Sequence, residues 1–325
     1  MQAGATAAAL ATLGGQTMGT TWSVRLAAPA GADLHALHAG IQAELDAVVA
    51  QMSPWEPASD ISRYRRAPAG SWQALPEAFA RVLDAAIAVA RESGGAFDPT
   101  VGPLVDLWGF GSAGTPRRVP DPAEIEHARG RTGWQRLQRR AGGRELLQPG
   151  SLQLDLSAIA KGYGADAVAA HLLAAGLASA LVEVGGEIRC LGRRPDGQPW
   201  RVLVETGFDE AASADVLPPR VLALADAAVA TSGDRWHRFE QDGTWYTHTF
   251  DPRLGAPVPG AAAAVTVVAA EAMHADAWAT ALTVMGPDEG LAFARARDMA
   301  ARFVVRDGTR LREAMTPAFE AYLAA

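Results

Sequence analysis

Two kinds of hydrophobic spacing follow one another irregularly along this chain, and their order restricts the fold more than any single motif does. Alternating apolar residues predict strands in TTWSVRLAA and in later runs such as SALVEVGGEIRCLG, WRVLVET, VLALADAAVATSG and AAAVTVVAA. Apolar residues three and four positions apart predict helices over residues 34–52 and 76–93. Because these segments do not alternate as regular βαβ units, we predict an α+β fold with a mixed, mainly antiparallel sheet core, flanking helices and two intimate lobes.

The first half of the chain carries further signals of organisation. We expect a disordered N-terminal segment over residues 1–13 and a single domain over residues 14–325. The two prolines of SPWEPASDISRYRRAP predict a loop. Residues 109–150 are rich in loop formers, and we expect one short helix there, over residues 122–129.

The second half begins with SLQLDL, whose leucines alternate with polar residues and therefore predict a half-buried strand. A helix should follow over SAIAKGYGADAVAAHLLAAG, since its C-terminal part is rich in helix formers and ends in glycine. Near the C-terminus we predict two helices, over residues 273–285 and 289–297, and a final strand, ARFVVRD.

Composition excludes several classes of function. The net charge of −7 and the lack of a basic stripe argue against nucleic acid as a partner. The chain contains no run of about 18 apolar residues, so no transmembrane segment is predicted. The N-terminus has no basic leader start, which indicates a cytoplasmic protein as the sequence stands, or a periplasmic or membrane-attached one if a leader was removed. The one cysteine, Cys190, cannot form an internal disulfide, and we expect a buried, inert thiol.

One lysine and two glycines occupy the predicted helix start SAIAKGYGAD, where each glycine costs helix stability. A lysine near the N-terminus of a helix that follows a strand can bind an anion. The alternative is that Lys161 is a surface lysine in a helix kinked by glycine. The pattern matches neither a Walker A loop nor a GxGxxG motif.

The stretch MHADAWATALTVMG places Asp276 and Thr280 four residues apart, on one face of a predicted helix. A carboxylate and a hydroxyl offer only hard oxygen donors, which Mg²⁺ prefers together with substrate phosphates. The alternative is a capping aspartate and a threonine that bonds to its own helix.

Two further polar residues stand beside predicted turns. Asp98 precedes a proline in GGAFDPTVGPL, where a turn initiator is the simpler interpretation. His248 ends a predicted strand in WYTHTFDP, close to Asp251, and is the histidine best placed to face a cleft. A structural histidine is the alternative there.

Taken in order, these stretches resemble the ApbE family of flavin transferases. The resemblance begins at GGQTMGTTWSVRL and continues through MSPWEPASDISRYRR, GGAFDPTVGPLVDLWGFG, LDLSAIAKGYGAD, LVEVGGEIRCLG, ATSGDRWHRF, THTFDPRLG and HADAWATAL. It spans residues 14–285. The chain departs from the family in lacking a lipobox cysteine and in the amino-acid sequence of HTFDPRLG.

The resemblance implies an activity, FAD:protein FMN transferase, in which the pyrophosphate of FAD is cleaved, FMN moves to a threonine or serine hydroxyl of an acceptor protein, and AMP leaves. It implies Mg²⁺ as cofactor and FAD as substrate. It also implies site residues. Lys161 would contact FAD, the carbonyl of Ala158 would bind Mg²⁺ with Asp276 and Thr280, and the flavin or adenine would be lined by Met18, Trp55, Glu56, Pro57, Asp98 and Thr249.

The chemistry adds one role and leaves two alternatives. The incoming hydroxyl must lose its proton, and His248 is the candidate base by residue type, beside Asp276 as the second catalytic residue. A Mg²⁺-dependent FAD pyrophosphatase would use water instead of the protein hydroxyl. A non-catalytic FAD-binding protein would need no metal, so the pairing of Asp276 with Thr280 favours catalysis.

Overall fold

The computed structural model describes residues 9–140, 142–204, 217–233, 237–258, 262–307 and 310–324. Eight α-helices are assigned within these ranges: α1 (Leu34–Met52), α2 (Asp60–Arg66), α3 (Glu77–Glu92), α4 (Gly102–Leu107), α5 (Pro122–Arg129), α6 (Ser157–Ala174), α7 (Ala272–Ala296) and α8 (Pro317–Glu320). Within those limits none of them is long and apolar enough to cross a lipid bilayer.

One large sheet forms the centre of the fold. Its strands are β1 (Ala9–Thr17), β2 (Thr20–Ala28), β5 (Ala180–Val184), β6 (Glu187–Leu191), β9 (Ala228–Gly233), β14 (Ala264–Ala269), β15 (Ala300–Asp307) and β16 (Arg310–Met315), in the order β1-β2-β5-β6-β9-β14-β15-β16. Every neighbouring pair is antiparallel. The α+β prediction with a mainly antiparallel sheet is therefore confirmed.

The remaining strands form small two-stranded sheets around this centre. They are β3 (Trp72–Ala74) with β4 (Glu145–Leu147), β7 (Trp200–Val204) with β8 (Arg220–Leu224), β10 (Arg238–Gln241) with β11 (Thr244–Thr247), and β12 (Phe250–Asp251) with β13 (Ala256–Pro257).

The helices α1 and α6 cover one end of the large sheet. Ile41 and Leu45 of α1 pack with Val168 and Leu172 of α6 against sheet residues such as Val182, and all are buried. A second core joins α3 to α6 and α7. The buried stripe of α1 has the spacing that predicted this helix.

Four local predictions are wrong, each for an identifiable reason. Residues 9–13, expected to be disordered, belong to β1, which pairs with β2 along its whole length. The predicted loop SPWEPASDISRYRRAP contains α2, because the Ser59 side chain caps its N-terminus and Ile61 and Tyr64 are buried. SLQLDL has buried leucines, but within the described residues no strand is assigned to it. ARFVVRD is not the last strand, because β16 and α8 follow β15.

Other local predictions are confirmed. The helix over residues 122–129 has the predicted bounds. The two helices predicted near the C-terminus form α7 with a break between them at Gly286, whose φ of 80° is outside the helical range. Cys190 is fully buried, and burial raises the pKa of its thiol to about 12. The parts of WRVLVET and ATSGDRWHRF at residues 205–206 and 234–236 lie outside the described residues.

The glycines of SAIAKGYGAD permit close packing of α6. A Cβ atom on Gly162 would lie 2.3 Å from the carbonyl oxygen of Ala272, at the start of α7. A Cβ atom on Gly164 would lie 3.2 Å from Cε of Met18 and 3.3 Å from Cδ2 of Leu45. The helix therefore loses some intrinsic stability but brings its backbone against α7 and the β1–β2 turn.

The contact at Gly162 gives a stability prediction. Gly162→Ala should lower the free energy of unfolding by about 1–3 kcal/mol, because the new methyl group meets backbone atoms that cannot move independently. Gly130→Ala is the matched control, since Gly130 has φ −58° and a Cβ atom there would make only ordinary contacts. Denaturant unfolding of both variants checks this. Equal stability of the two would contradict the close packing.

Candidate active site

A cavity of about 1350 Å³ opens between the β1–β2 turn, the C-terminal end of α1, the N-terminal end of α6, the β5–β6 turn, β9 and α7. Its wall includes ten of the residues predicted from sequence: Met18, Trp55, Glu56, Asp98, Ala158, Lys161, His248, Thr249, Asp276 and Thr280. Pro57 is not part of this wall; it is exposed, and its carbonyl accepts a hydrogen bond of 2.7 Å from Arg66. The fold thus gathers motifs spread over most of the chain.

The predicted metal ligands lie where α6 and α7 meet. Asp276 is buried on α7, and Thr280 follows it one turn later. Ala158 has φ −90° and ψ 17°, a non-helical conformation inside α6. The N–H of Gly162, four residues after Ala158, donates to Oδ2 of Asp276 at 3.2 Å. This bond links α6 to α7 at Asp276.

Lys161 is neither a free surface residue nor an isolated charge. Its Nζ lies 2.5 Å from Oε1 of Glu187, whose side chain is only 5% exposed, whereas that of Lys161 is 32% exposed. Gly185 has φ +61°, and a Cβ atom there would approach Cδ of Lys161 to 3.3 Å and a methyl of Thr20 to 2.8 Å. The β5–β6 turn therefore needs glycine both for its backbone conformation and to leave room for this lysine.

The electrostatics of this cluster are set by two acids and one base. Burial lowers the pKa of Lys161, but Asp276 and Glu187 outweigh it and raise the pKa, so the ammonium stays charged. Burial raises the pKa of Glu187 to about 7 against the opposing effect of Lys161. Burial also raises the pKa of Asp276, opposed by Lys161 and by the Gly162 N–H. The cluster holds more acidic groups than one ammonium balances, which favours binding of a further cation.

Sequence reasoning missed Glu187. Its Oε2 is buried and makes no hydrogen bond within the described ranges. The available signal was a charged residue at the start of a buried strand, directly after the Gly185–Gly186 turn. A charge in such a position must find a partner, and Lys161 is that partner.

Asp166, the last residue of SAIAKGYGAD, was also missed. Its carboxylate accepts hydrogen bonds from the backbone N–H groups of Ala272 at 2.8 Å and Met273 at 2.9 Å, which are the first two residues of α7. It therefore caps α7 from α6 and lies 3.6 Å from the guanidinium of Arg189. The stretch SAIAKGYGAD therefore contains Lys161 and, through Asp166, also positions the helix that carries Asp276.

The conformation of the β1–β2 turn directs Met18 into the cavity. Met18 has φ 50° and Gly19 has φ 73°, as a two-residue hairpin turn requires. Glycine adopts this conformation easily, but methionine rarely does. The strained backbone places the Met18 side chain against Gly164 of α6.

Asp98 belongs to the cavity wall, but its oxygens are used within the protein. Its Oδ1 accepts hydrogen bonds from the backbone N–H of Thr100 at 2.8 Å and from the Thr100 hydroxyl at 2.6 Å. Its Oδ2 accepts from the N–H of Trp134 at 3.2 Å. The turn-forming interpretation of this residue therefore holds alongside its location at the cavity, and burial raises its pKa.

His248 is exposed at the cavity and lies beside a second histidine, His237, that sequence reasoning did not single out. Its backbone N–H donates to the carbonyl of His237 at 3.0 Å, and the ring centroids are 5.3 Å apart. Partial burial, Arg117 and Lys161 lower the pKa of His237. Asp251, the predicted neighbour of His248, instead forms an ion pair of 2.8 Å with Arg253.

Within the described part of the chain, no group of three or more His, Cys, Asp and Glu side chains has the arrangement of a metal site. The predicted ligand set is of another kind, with one carboxylate, one hydroxyl and one backbone carbonyl. All three donors are oxygen, which suits Mg²⁺ rather than a transition metal.

The sequence model of the ApbE family matches residues 18–303. This chain belongs to the ApbE family. The FAD:protein FMN transferase of Vibrio cholerae is 37% identical over 313 residues, which cover 96% of this chain and 92% of that protein. That of Klebsiella pneumoniae is 34% identical over 314 residues, covering 96% and 89%.

Solved ApbE structures share the fold. The flavinyl transferase ApbE of Pseudomonas stutzeri, in its apo form, has a TM-score of 0.88 and 38% identity, and the match covers 98% of each chain. The ApbE protein of Thermotoga maritima has a TM-score of 0.86 at 27% identity, covering 98% of this chain and all of that one. The ApbE resemblance predicted from sequence is confirmed.

The ion pair of this ApbE chain gives a second prediction. Lys161→Met leaves the buried Glu187 carboxyl without its cation and should lower the free energy of unfolding. Breaking a fully buried pair costs about 3–5 kcal/mol; we expect about 1–3 kcal/mol because the lysine is partly exposed. The loss should depend on pH. Folding raises the pKa of Glu187 from 4.5 to about 7, so its contribution to stability is present at low pH and is lost as pH rises through that window.

Without Lys161, which lowers the pKa of Glu187, this loss extends to higher pH. The stability deficit of Lys161→Met should therefore be larger at about pH 8.5 than at about pH 6. The double variant Lys161→Met/Glu187→Gln is the control and should show a smaller increase, because only Asp276 then loses the ammonium. Thermal unfolding of wild type and both variants at the two pH values measures this, and a deficit independent of pH would contradict it.

Proposed function

We propose that this chain transfers FMN from FAD to a threonine or serine hydroxyl of an acceptor protein, in a Mg²⁺-dependent reaction that releases AMP. The observation that carries the proposal is the convergence of Ala158, Lys161, Asp276, Thr280 and His248 on one cavity. The names of the relatives, FAD:protein FMN transferase, support the same activity. The cavity volume of about 1350 Å³ exceeds the roughly 300–1000 Å³ of ordinary ligand pockets, which suits a dinucleotide.

The oxygen donors of Ala158, Asp276 and Thr280 would hold the metal. Two features support this fit: the excess of acidic groups around Lys161, and the linkage of both helices by the bond from Gly162 to Asp276. Bound Mg²⁺ would supply charge neutralisation at the pyrophosphate.

Lys161 and the N-terminus of α6 would bind the phosphates of FAD. Ser157 and Ala158, at the first turn of α6, belong to the cavity wall together with Lys161. Backbone N–H groups at a helix N-terminus attract anions, and the ammonium adds a full positive charge. Glu187 holds that ammonium in place, so Lys161 is positioned before FAD arrives.

The transfer step needs one proton acceptor. The acceptor hydroxyl oxygen forms a new bond to the phosphorus of the FMN half, and the bond between that phosphorus and the bridging oxygen breaks, so that AMP leaves. The hydroxyl proton passes to the imidazole of His248. The exposed position of His248 at the cavity is compatible with a substrate hydroxyl carried by another protein.

Asp276→Asn tests the metal role. The asparagine keeps an oxygen for the Gly162 N–H but removes the charge, so Mg²⁺-dependent formation of AMP and labelled acceptor should be lost while the melting temperature changes little. Asp288→Asn, an exposed position on the same helix, is the control and should keep full activity. Normal turnover by Asp276→Asn at low Mg²⁺ would refute the assignment.

His248→Ala tests the base. FAD and Mg²⁺ should still bind, whereas transfer to an acceptor protein should slow by roughly 10²–10⁴-fold. His35→Ala, an exposed histidine on α1, is the control. FAD affinity, melting temperature and transfer rate are measured on each variant. A loss of transfer fully accounted for by lost FAD binding would exclude His248 as the base, and AMP formation without any labelled protein would indicate a pyrophosphatase instead.

A further inference from the structure

The strand β9 extends past the end of its neighbour β6 and leaves an open edge inside the large sheet. The pairing of β6 with β9 comprises Ile188 with Val229 and Arg189 with Ala228. On its other side, β9 pairs with β14 along its whole length, as far as Gly233 with Ala264. Because β6 runs antiparallel to β9 and begins at Glu187, the residues of β9 beyond Ala230 have no opposite strand residue in β6.

The direction of the backbone groups on this overhang follows from the period of a strand. The carbonyl of Ala227 accepts a hydrogen bond of 2.8 Å from the N–H of Cys190, so the backbone groups of Ala227 point toward β6. Groups on an antiparallel strand alternate sides with period two. The N–H and C=O groups of Thr231 and Gly233 therefore point away from β14, into the space that β6 does not fill.

The β5–β6 turn does not satisfy these groups. Gly186 would be the residue opposite Thr231 if the ladder continued, but its N–H donates to the side chain of Glu183 at 2.8 Å. The N–H of Gly185 donates to the carbonyl of Thr21. Apart from the ladder with β14, no backbone–backbone hydrogen bond joins Thr231 or Gly233 to another residue of the described ranges. Unpaired strand edges of this kind are templates for a further strand.

The open edge lies at the candidate active site. Thr231, Ser232 and Gly233 belong to the wall of the same cavity as Lys161 and His248. His237 follows the overhang by four residues, and its carbonyl accepts the backbone N–H of His248. A chain segment paired with the overhang would therefore run along the cavity that holds the proposed base.

We propose that the acceptor protein docks as an extended segment that pairs with Thr231 and Gly233 as an added strand, and so presents its threonine or serine to the cavity. This inference rests on the proposed function. The two residues offer two N–H donors and two C=O acceptors, which match alternate residues of one extended peptide. FAD has no polypeptide backbone and so does not offer this alternating series of N–H and C=O groups. Gly233 has no side chain, and Thr231 is exposed, so main-chain contacts dominate the recognition.

Recognition through the main chain can be tested, because only every second backbone N–H group of the bound peptide should contribute to binding. The probe is a nine-residue synthetic peptide with one central threonine, chosen from a random pool as the peptide that saturating FAD, Mg²⁺ and the full-length enzyme label with FMN fastest. Single amide bonds of this peptide are then replaced one at a time by esters, which removes one N–H donor at each position. FMN fluorescence of the peptide gives kcat/KM for every member of the series.

We expect kcat/KM to fall by roughly three- to tenfold at two positions separated by one residue, and to change by less than about twofold at the position between them. The unmodified peptide is the matched control. A flat series, or an equal loss at every position, would overturn strand pairing while leaving the transferase activity standing. If no peptide or protein hydroxyl is labelled, the proposed function fails, and the docking mode fails with it.

Discussion

The contact between α6 and α7 at Gly162 is the constraint on which the site depends. It lets the backbone N–H of Gly162 donate to the side-chain carboxylate of Asp276, and it leaves no room for a side chain at Gly162. Asp166 strengthens the same junction by capping the first turn of α7. Because α6 carries Lys161 and α7 carries Asp276 and Thr280, the packing of two helices fixes the relative position of the proposed phosphate-binding and metal-binding groups.

The charges of the site are balanced only in part by the protein itself. Lys161 lies between Glu187 and Asp276, which is a favourable place for one ammonium and an unfavourable place for two buried carboxyl groups. This imbalance of charge is consistent with the cation proposed for the site, although the described residues contain no cluster of three acidic ligands. It also keeps Lys161 charged in the absence of substrate, so little reorganisation is needed when an anionic dinucleotide binds.

Much of the fold and of the site could be predicted from sequence, because both are expressed in local patterns. The helix with Ile41 and Leu45 on one face and the strand containing Trp22 and Val24 follow directly from hydrophobic spacing. Most of the predicted site residues lie on the wall of one cavity. They could be predicted because the motifs, taken together, form one family pattern.

The missed features depend on contacts that spacing does not encode. α2 forms because Ser59 caps it, although two prolines precede it. The alternation at Leu152 and Leu154 reflects burial alone, since no strand of the described ranges pairs with this stretch. The partnership of Glu187 with Lys161 joins residues 26 positions apart and requires the three-dimensional fold. Where a residue's role depends on a distant partner, sequence patterns indicate only that a partner must exist.

The break at Gly286 divides α7 into two segments with separate tasks. The first segment contains Asp276 and Thr280, and the second packs against β15, where Gly290 lies close to Phe303. A φ of 80° and the following Pro287 interrupt the helical hydrogen-bond ladder between the two segments. Opening of the second segment therefore does not have to propagate into the turn that carries the proposed metal-binding groups. We therefore expect the two segments to open as separate units of local unfolding.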